Sequence, residues 1–201
     1  MDGYLIQKKK LKEILSKDRY QHSKSVAIIA EKLALKYGVS SKNAIIASLL
    51  HDCSKGLDDS SYFDYLKQVK GYEHLKKSDY VRDKYNSLHA SVSVQMAKEY
   101  FDIVDEEILT AISNHTYGSK NIDMLSKILY IADVVEPLRS ESEELNKIRK
   151  ILEYEGVNSA IVYEVKCKIK SLLKRDKRIP GELVEMYNSI TKEMEGKKWE
   201  Y

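Results

Sequence analysis

The chain is poor in residues that break helices. It has two prolines, Pro137 and Pro180, and eight glycines among 201 residues, a scarcity that favours helices throughout. Cysteine is equally scarce: Cys53 and Cys167 stand far apart with no CxxC pair. That argues against a disulfide framework or a zinc–cysteine site and fits a reducing cytosol. No apolar run approaches the roughly 18 residues of a membrane span, and the stretch from Met1 to Lys10 has no long apolar region after its charges, unlike a secretory signal. A cytoplasmic protein without membrane association is therefore expected. Charge of one sign is also lacking. Thirty-four Lys and Arg against 31 Asp and Glu leave a net +3, too balanced to argue for nucleic acid or an anionic membrane as a partner.

What is present is helical periodicity over a length that can bury one real core. Tyr4, Leu5, Leu11, Ile14 and Leu15 suit a first amphipathic helix over 4–16. A second over 19–37 carries the stripe His22, Val26, Ile29, Ala30, Leu33 and Tyr37. Ser40 or Ser41 caps a third, small-residue helix that runs to His51. Residues 57–86 are polar and tyrosine-rich, and read as short helices and loops forming a lid or insertion. Further helices are expected over 88–101, 105–115 and 123–136, the last stopped by Pro137, and then over 141–154, 157–175 and 182–195. No repeat, low-complexity tract or linker divides the chain, so residues 1–201 read as one all-α domain.

Candidate chemistry rests on a set of residues. His51 and Asp52 are adjacent, and helical neighbours point about 100° apart. They can share a metal only at a helix edge, with other elements completing the shell. Asp133 interrupts the apolar run Ile128-Leu129-Tyr130-Ile131-Ala132 and Val134-Val135. A carboxylate buried there needs a metal, several donors, or an ion pair to a lysine or arginine. His22 lies on an apolar stripe, where a hydrogen-bonded core histidine is the plainer reading. Together His22, His51, Asp52 and Asp133 suit a divalent transition metal with positions left for water or phosphate. His89 and His115, each at a helix end, could bind a second metal or act on substrate as acid or hydrogen-bond donor. His74 reads as solvated surface.

These residues resemble the YqeK family of HD-domain hydrolases. Arg19-Tyr20-Gln21-His22 is similar to its R-[FY]-x-H segment, and Leu50-His51-Asp52-Cys53-Ser54-Lys55 to its LHDxxK segment. Leu88-His89-Ala90, His115-Thr116-Tyr117-Gly118 and Ala132-Asp133-Val134-Val135-Glu136-Pro137-Leu138-Arg139 are similar to its LHA, HTxG and ADxxEPxR segments. The resemblance runs in order from about residue 5 to about residue 190. It departs at Cys53-Ser54, where residues such as Tyr-Ala are more usual, and 57–86 looks somewhat long.

The resemblance implies a single HD-domain helical bundle that cleaves diadenosine tetraphosphate symmetrically to two ADP, using a water activated at a divalent metal. The metal would be iron, or manganese, cobalt or zinc, held by His22, His51, Asp52 and Asp133. Arg19, His89, His115, Thr116 and Arg139 would contact the nucleotide or its phosphates, with Lys55 just outside the ligand shell. His22 would also border the substrate, and Asp52, His89 and His115 would carry the catalysis, one of the two histidines as proton donor. The expected partner is a small dinucleoside polyphosphate; the oligomeric state stays open, a homodimer included. Two other readings compete. One keeps the site for another nucleotide: a dNTP, a nucleoside monophosphate or a cyclic nucleotide. The other is a non-catalytic nucleotide sensor. The lysine-rich stretch 166–178 prompts an RNA-binding reading, but it lacks interleaved aromatics and reads better as a solvated helix face.

Overall fold

The structure, a computed structural model, describes residues 2–82 and 88–197, with side chains from residue 7 to residue 196. Among these residues it contains ten complete α-helices and no strand. In chain order they are α1 Asp2–Ile14, α2 Lys17–Tyr37, α3 Ser41–Leu50, α4 Asp59–Leu66, α5 His89–Glu99, α6 Glu106–Asn114, α7 Met124–Val135, α8 Glu143–Tyr154, α9 Val157–Lys174 and α10 Gly181–Lys197. Single 3₁₀ turns lie at Cys53–Gly56 and Lys77–Asp79. The all-helical expectation holds. The side chains of Tyr4 and Leu5, expected on the first helix face, and residues 83–86 of the expected insertion lie outside this description.

Side-chain caps set most of the helix starts. Ser16, Ser40, Asp58, Asp105, Asp123 and Ser142 each accept a hydrogen bond from a backbone N–H two or three residues on. Each satisfies a donor that has no partner inside its own helix. At the other end of α7, Arg149 of α8 donates from Nε to Val135 O and from a terminal nitrogen to Glu136 O, both at 3.0 Å. Two carbonyls left over by the helix end are thereby satisfied.

α7 organises the core. Every residue from Leu125 to Ala132 is buried, as befits a helix enclosed on nearly all sides. α2, α3, α6 and α9 all pack on it, and α5 packs outside α6. Asp133 follows directly on this buried run, so the core delivers it to the mouth of the bundle. The polar 57–86 stretch has an apolar anchor of its own: Tyr62 and Leu66 of α4 form a small second cluster with Val92 of α5. Among the described residues no helix is long and apolar enough to cross a membrane.

Candidate metal centre

Three helices bring the first group of side chains together. His22 comes from the second turn of α2, His51 caps the C-terminus of α3, Asp52 follows it, and Asp133 sits in the last turn of α7. Asp133 Oδ1 lies 3.1 Å from His22 Nε2 and 3.8 Å from His51 Nε2, and Asp52 Oδ2 lies 3.6 Å from His51 Nε2. Donor atoms of His22, His51 and Asp52 all fall within 4.8 Å of one another.

Asp52 also belongs to a second group. His89, opening α5, and His115, capping α6, direct their Nε2 atoms at Asp52 Oδ1 from 3.4 and 3.6 Å. The two Nε2 atoms are themselves 3.1 Å apart, and Thr116 Oγ1 lies 3.4 and 3.3 Å from them. One carboxylate therefore joins two sets of three donors.

The imidazoles are oriented through their other nitrogens. His51 Nδ1–H donates to Ser48 O at 2.6 Å and His115 Nδ1–H to Ile112 O at 2.7 Å. A carbonyl can only accept, so in the neutral rings Nε2 carries the lone pair. His22 Nδ1–H donates to Glu136 Oε1 at 3.1 Å. Anchoring the remote nitrogen in this way is how metal-binding histidines are held. His51 Nε2 and Asp52 Oδ1 are buried and have no hydrogen-bond partner among the described residues. Such atoms are expensive to bury unless a cation takes them, so the donor set fits a divalent metal.

Charge in the cluster is strongly coupled. Burial would raise the pKa of Asp52, but the His51 and His115 rings and Lys55 hold it well below the carboxylate range. Burial acts likewise on Asp133, and the His22 hydrogen bond, the His51 ring and Arg139 hold it low. Burial lowers the pKa of His51 despite the Asp52 and Asp133 charges. His22 goes the other way: burial opposes its charge, but Asp133 and Glu136 outweigh it and the pKa is raised.

Cations and two cavities surround the cluster. Lys55 Nζ sits 2.7 Å from Asp52 Oδ2, and Arg139 donates to Asp133 Oδ1 at 2.6 Å and to Asp133 O at 3.0 Å. The ion pair first weighed for Asp133 thus exists alongside its histidine contacts. A cavity of about 300 Å³ lies beside His89, His115 and Thr116, and another of about 740 Å³ beside Arg19, His22 and Asp52. Both are lined by Lys55 and Arg139. Arg19 is exposed in the wall of the larger one.

The Cys53-Ser54 departure has a local use. Ser54 N–H donates to Ser93 Oγ at 3.2 Å, Ser93 Oγ–H donates to Ser54 Oγ at 2.9 Å, and Ser54 Oγ–H donates to His89 O at 3.0 Å. This ties the turn after Asp52 to α5 and thereby sets the position of His89. Gly56 closes the same turn against the end of α1, where a Cβ would lie 2.5 Å from Ile14 O.

A family model described as the HD domain matches residues 19–138. The chain belongs to the HD domain family. Its resemblance to the YqeK hydrolases is also borne out: two relatives are both named symmetrical bis(5'-nucleosyl)-tetraphosphatase. The protein from Halalkalibacterium halodurans is 31% identical over 90% of this chain and 92% of its own length. That from Bacillus subtilis is 30% identical over 89% and 92%. A solved structure from Clostridium acetobutylicum, described as a predicted HD superfamily hydrolase involved in NAD metabolism, superposes with a TM-score of 0.78. It is 29% identical and covers 94% of this chain and 97% of its own.

The HD domain match contains all six histidines and aspartates of the cluster and ends one residue before Arg139. Two residues near the cluster were missed by the sequence reading. Glu136 was quoted in a motif without a role, yet it is 2% exposed and anchors His22. Lys168, read as part of a solvated face, lines the smaller cavity beyond the HD domain match. A usable signal existed: Val157, Ala160, Ile161, Glu164 and Val165 form the buried stripe of α9, and position 168 continues it.

Proposed function

We propose that the chain is a metal-dependent phosphohydrolase that splits diadenosine tetraphosphate symmetrically into two ADP. The observation that carries this reading is Asp52, one carboxylate serving two three-donor groups where two cavities share the same cations. A linear polyanion with a nucleoside at each end fits such a site, with one half in each cavity and the central bridge over Asp52. The names of the relatives support the same substrate.

In this reading His22, His51, Asp52 and Asp133 would hold one divalent ion, and Asp52, His89 and His115 would offer donors for a second. Mixed imidazole and carboxylate donors suit iron, with manganese, cobalt or zinc as substitutes. A bound ion supplies a polarised phosphoryl oxygen and a water that is nucleophilic at neutral pH. The chain's own residues do the rest. Arg139 spends two donors on Asp133, leaving three of a guanidinium's five for phosphate oxygens. Lys55 sits on Asp52 and offers charge to the same phosphates, and Arg19 and Thr116 line the two arms. Water adds to one inner phosphorus and gives up a proton to solvent, and the bond from that phosphorus to the bridging oxygen breaks, the oxygen leaving with the other inner phosphate. The leaving group is the terminal phosphate of ADP, whose last pKa is near that of a phosphomonoester, about 6. It departs as a stable anion, so neither His89 nor His115 has to protonate it, and both are free to serve as ligands. Two free thiols, Cys53 and Cys167, fit a reducing cytoplasm for this enzyme.

The test is an assay of purified, metal-reconstituted protein on diadenosine tetraphosphate, with products resolved and metal counted per chain. Two ADP are expected. ATP plus AMP would change the cleavage class, and no turnover with any of the four metals would overturn the reading.

A further inference from the structure

Lys168 lies 30 residues beyond the end of the HD domain match, on a helix that supplies none of the expected site residues. Its ammonium is nevertheless held at the site. Nζ donates to Tyr130 OH at 2.9 Å and to Thr116 O at 3.3 Å, and pairs with Glu164 Oε1 at 3.2 Å. It also lies 4.7 Å from the centre of the Tyr130 ring. Tyr130, 1% exposed, donates its hydroxyl to Glu164, which is itself buried. Glu164 and Tyr130 thus form a rigid seat, with Lys168 as the part of it that reaches the opening. The side chain stays 30% exposed and lines the smaller cavity together with Lys55, His89, His115 and Arg139.

The pair with Glu164 does not explain this arrangement by stability alone. Glu164 is buried, so its charge needs a cation; that balance does not require the ammonium also to line the cavity, 30% exposed. A lysine fixed beside Thr116, lining the same cavity as His89 and His115, presents a cation to an anion that enters it. We infer that Lys168 is a substrate-binding residue that contacts the phosphates of the nucleotide half occupying the smaller cavity. This deepens the proposed function and rests on it for the identity of the substrate. A polyphosphate oxygen takes over the hydrogen bond now made to Thr116 O, the longest of the three contacts, while Glu164 and Tyr130 keep the ammonium in place. Lys168 thereby holds the phosphate chain in register with Asp52 and plays no part in the bond-breaking step.

The experiment compares metal-loaded wild type with Lys168→Met, Lys168→Arg and Lys170→Ala. Methionine keeps an unbranched stem over Tyr130, and Lys170 is an exposed lysine on the same helix. Two readouts are taken: steady-state kinetics on diadenosine tetraphosphate, and calorimetric binding of ADP. Lys168→Met is expected to raise KM and weaken ADP binding by roughly ten- to a hundredfold, the range for losing a charge-assisted hydrogen bond. kcat should stay close to wild type. Lys168→Arg should restore most of the loss, and Lys170→Ala should match wild type. Unchanged KM and ADP affinity in Lys168→Met would overturn the inference, and so would an arginine variant no better than methionine, which would mark a packing role. If wild type fails to turn over the tetraphosphate, the functional reading falls. The ADP arm then decides on Lys168 separately: weaker binding in Lys168→Met sustains its phosphate contact, and equal or absent binding in wild type and variant ends it.

Discussion

Glu136→Gln should weaken metal binding without unfolding the protein. The carboxylate is 2% exposed, and both its oxygens accept: Oε1 from His22 Nδ1 at 3.1 Å and Oε2 from Leu138 N at 2.8 Å. Glutamine has almost the same shape but one acceptor. The backbone N–H of Leu138 cannot change its nature, so the amide oxygen turns to it and the NH₂ faces His22 Nδ1. His22 then answers with a lone pair on Nδ1 and a proton on Nε2, the atom that faces Asp133. To take a metal at Nε2 the ring must move that proton back to Nδ1, where it confronts the amide donor. The cost is one buried hydrogen bond left unmade, about 1–3 kcal/mol. At 1.4 kcal/mol per decade this predicts a loss of roughly ten- to a hundredfold in affinity, the range seen when partners behind metal-binding histidines are removed. The assay is competition of Mn²⁺ or Zn²⁺ between the protein and a chromophoric chelator. Thermal melts of the metal-free variant establish that it is folded. A folded Glu136→Gln protein with affinity within about twofold of wild type would refute the tautomer argument.

The metal-free protein should show a matching pH signature. The pKa of His22 is raised above its ordinary 6.5 because Asp133 and Glu136 outweigh burial. Its proton therefore stabilises the native state fully below about pH 6.5, and this contribution fades as pH rises through the raised value. His22→Asn should cost most stability on the acid side, with the gap to wild type narrowing toward alkaline pH in chelator-treated melts; a gap that widens would contradict this. Gly118→Ala should lose about 2–4 kcal/mol, combining left-handed strain with overpacking, since Gly118 has φ +70 and a Cβ would fall 2.1 Å from Met186 Sδ. Denaturant melts measure this, and equal stability would refute it. Cys53 is 0% exposed, and burial pushes its thiol up to about 12. Iodoacetamide should therefore modify Cys167 in the native protein and Cys53 only after unfolding, read by mass spectrometry; equal labelling of native protein would be inconsistent with the buried site.

Much of the fold was legible because its signals are local. Ser40 caps α3 as its place in the sequence suggested, and Asp105 and Asp123 cap α6 and α7 where the helical periodicity begins. The four residues His22, His51, Asp52 and Asp133 could be read for a related reason. Each is a polar group on or beside an apolar stripe, and a buried charge has few bland explanations. Glu136 was harder, because its partner His22 lies 114 positions away and a glutamate beside a proline resembles an ordinary helix end. Lys168 was harder still. In a run where lysines alternate with apolar residues, composition does not reveal which one turns inward; only the continuation of the α9 stripe does. Arg139 was expected on phosphate, and its grip on Asp133 depends on the turn after Pro137, which no spacing rule specifies.

The serine relay between the turn after Asp52 and α5 has a further consequence. His22, His51 and Asp133 are rooted in the main core, through α2, α3 and α7. His89 opens α5, whose Val92 joins the small cluster with Tyr62 and Leu66 while Met96 and Ala97 further along belong to the main core. His89 thus stands where the two clusters meet, and the other five side chains of the cluster come from segments of the main core. A substitution at Tyr62 or Leu66 would act on the site first through Val92 and the start of α5, where His89 sits.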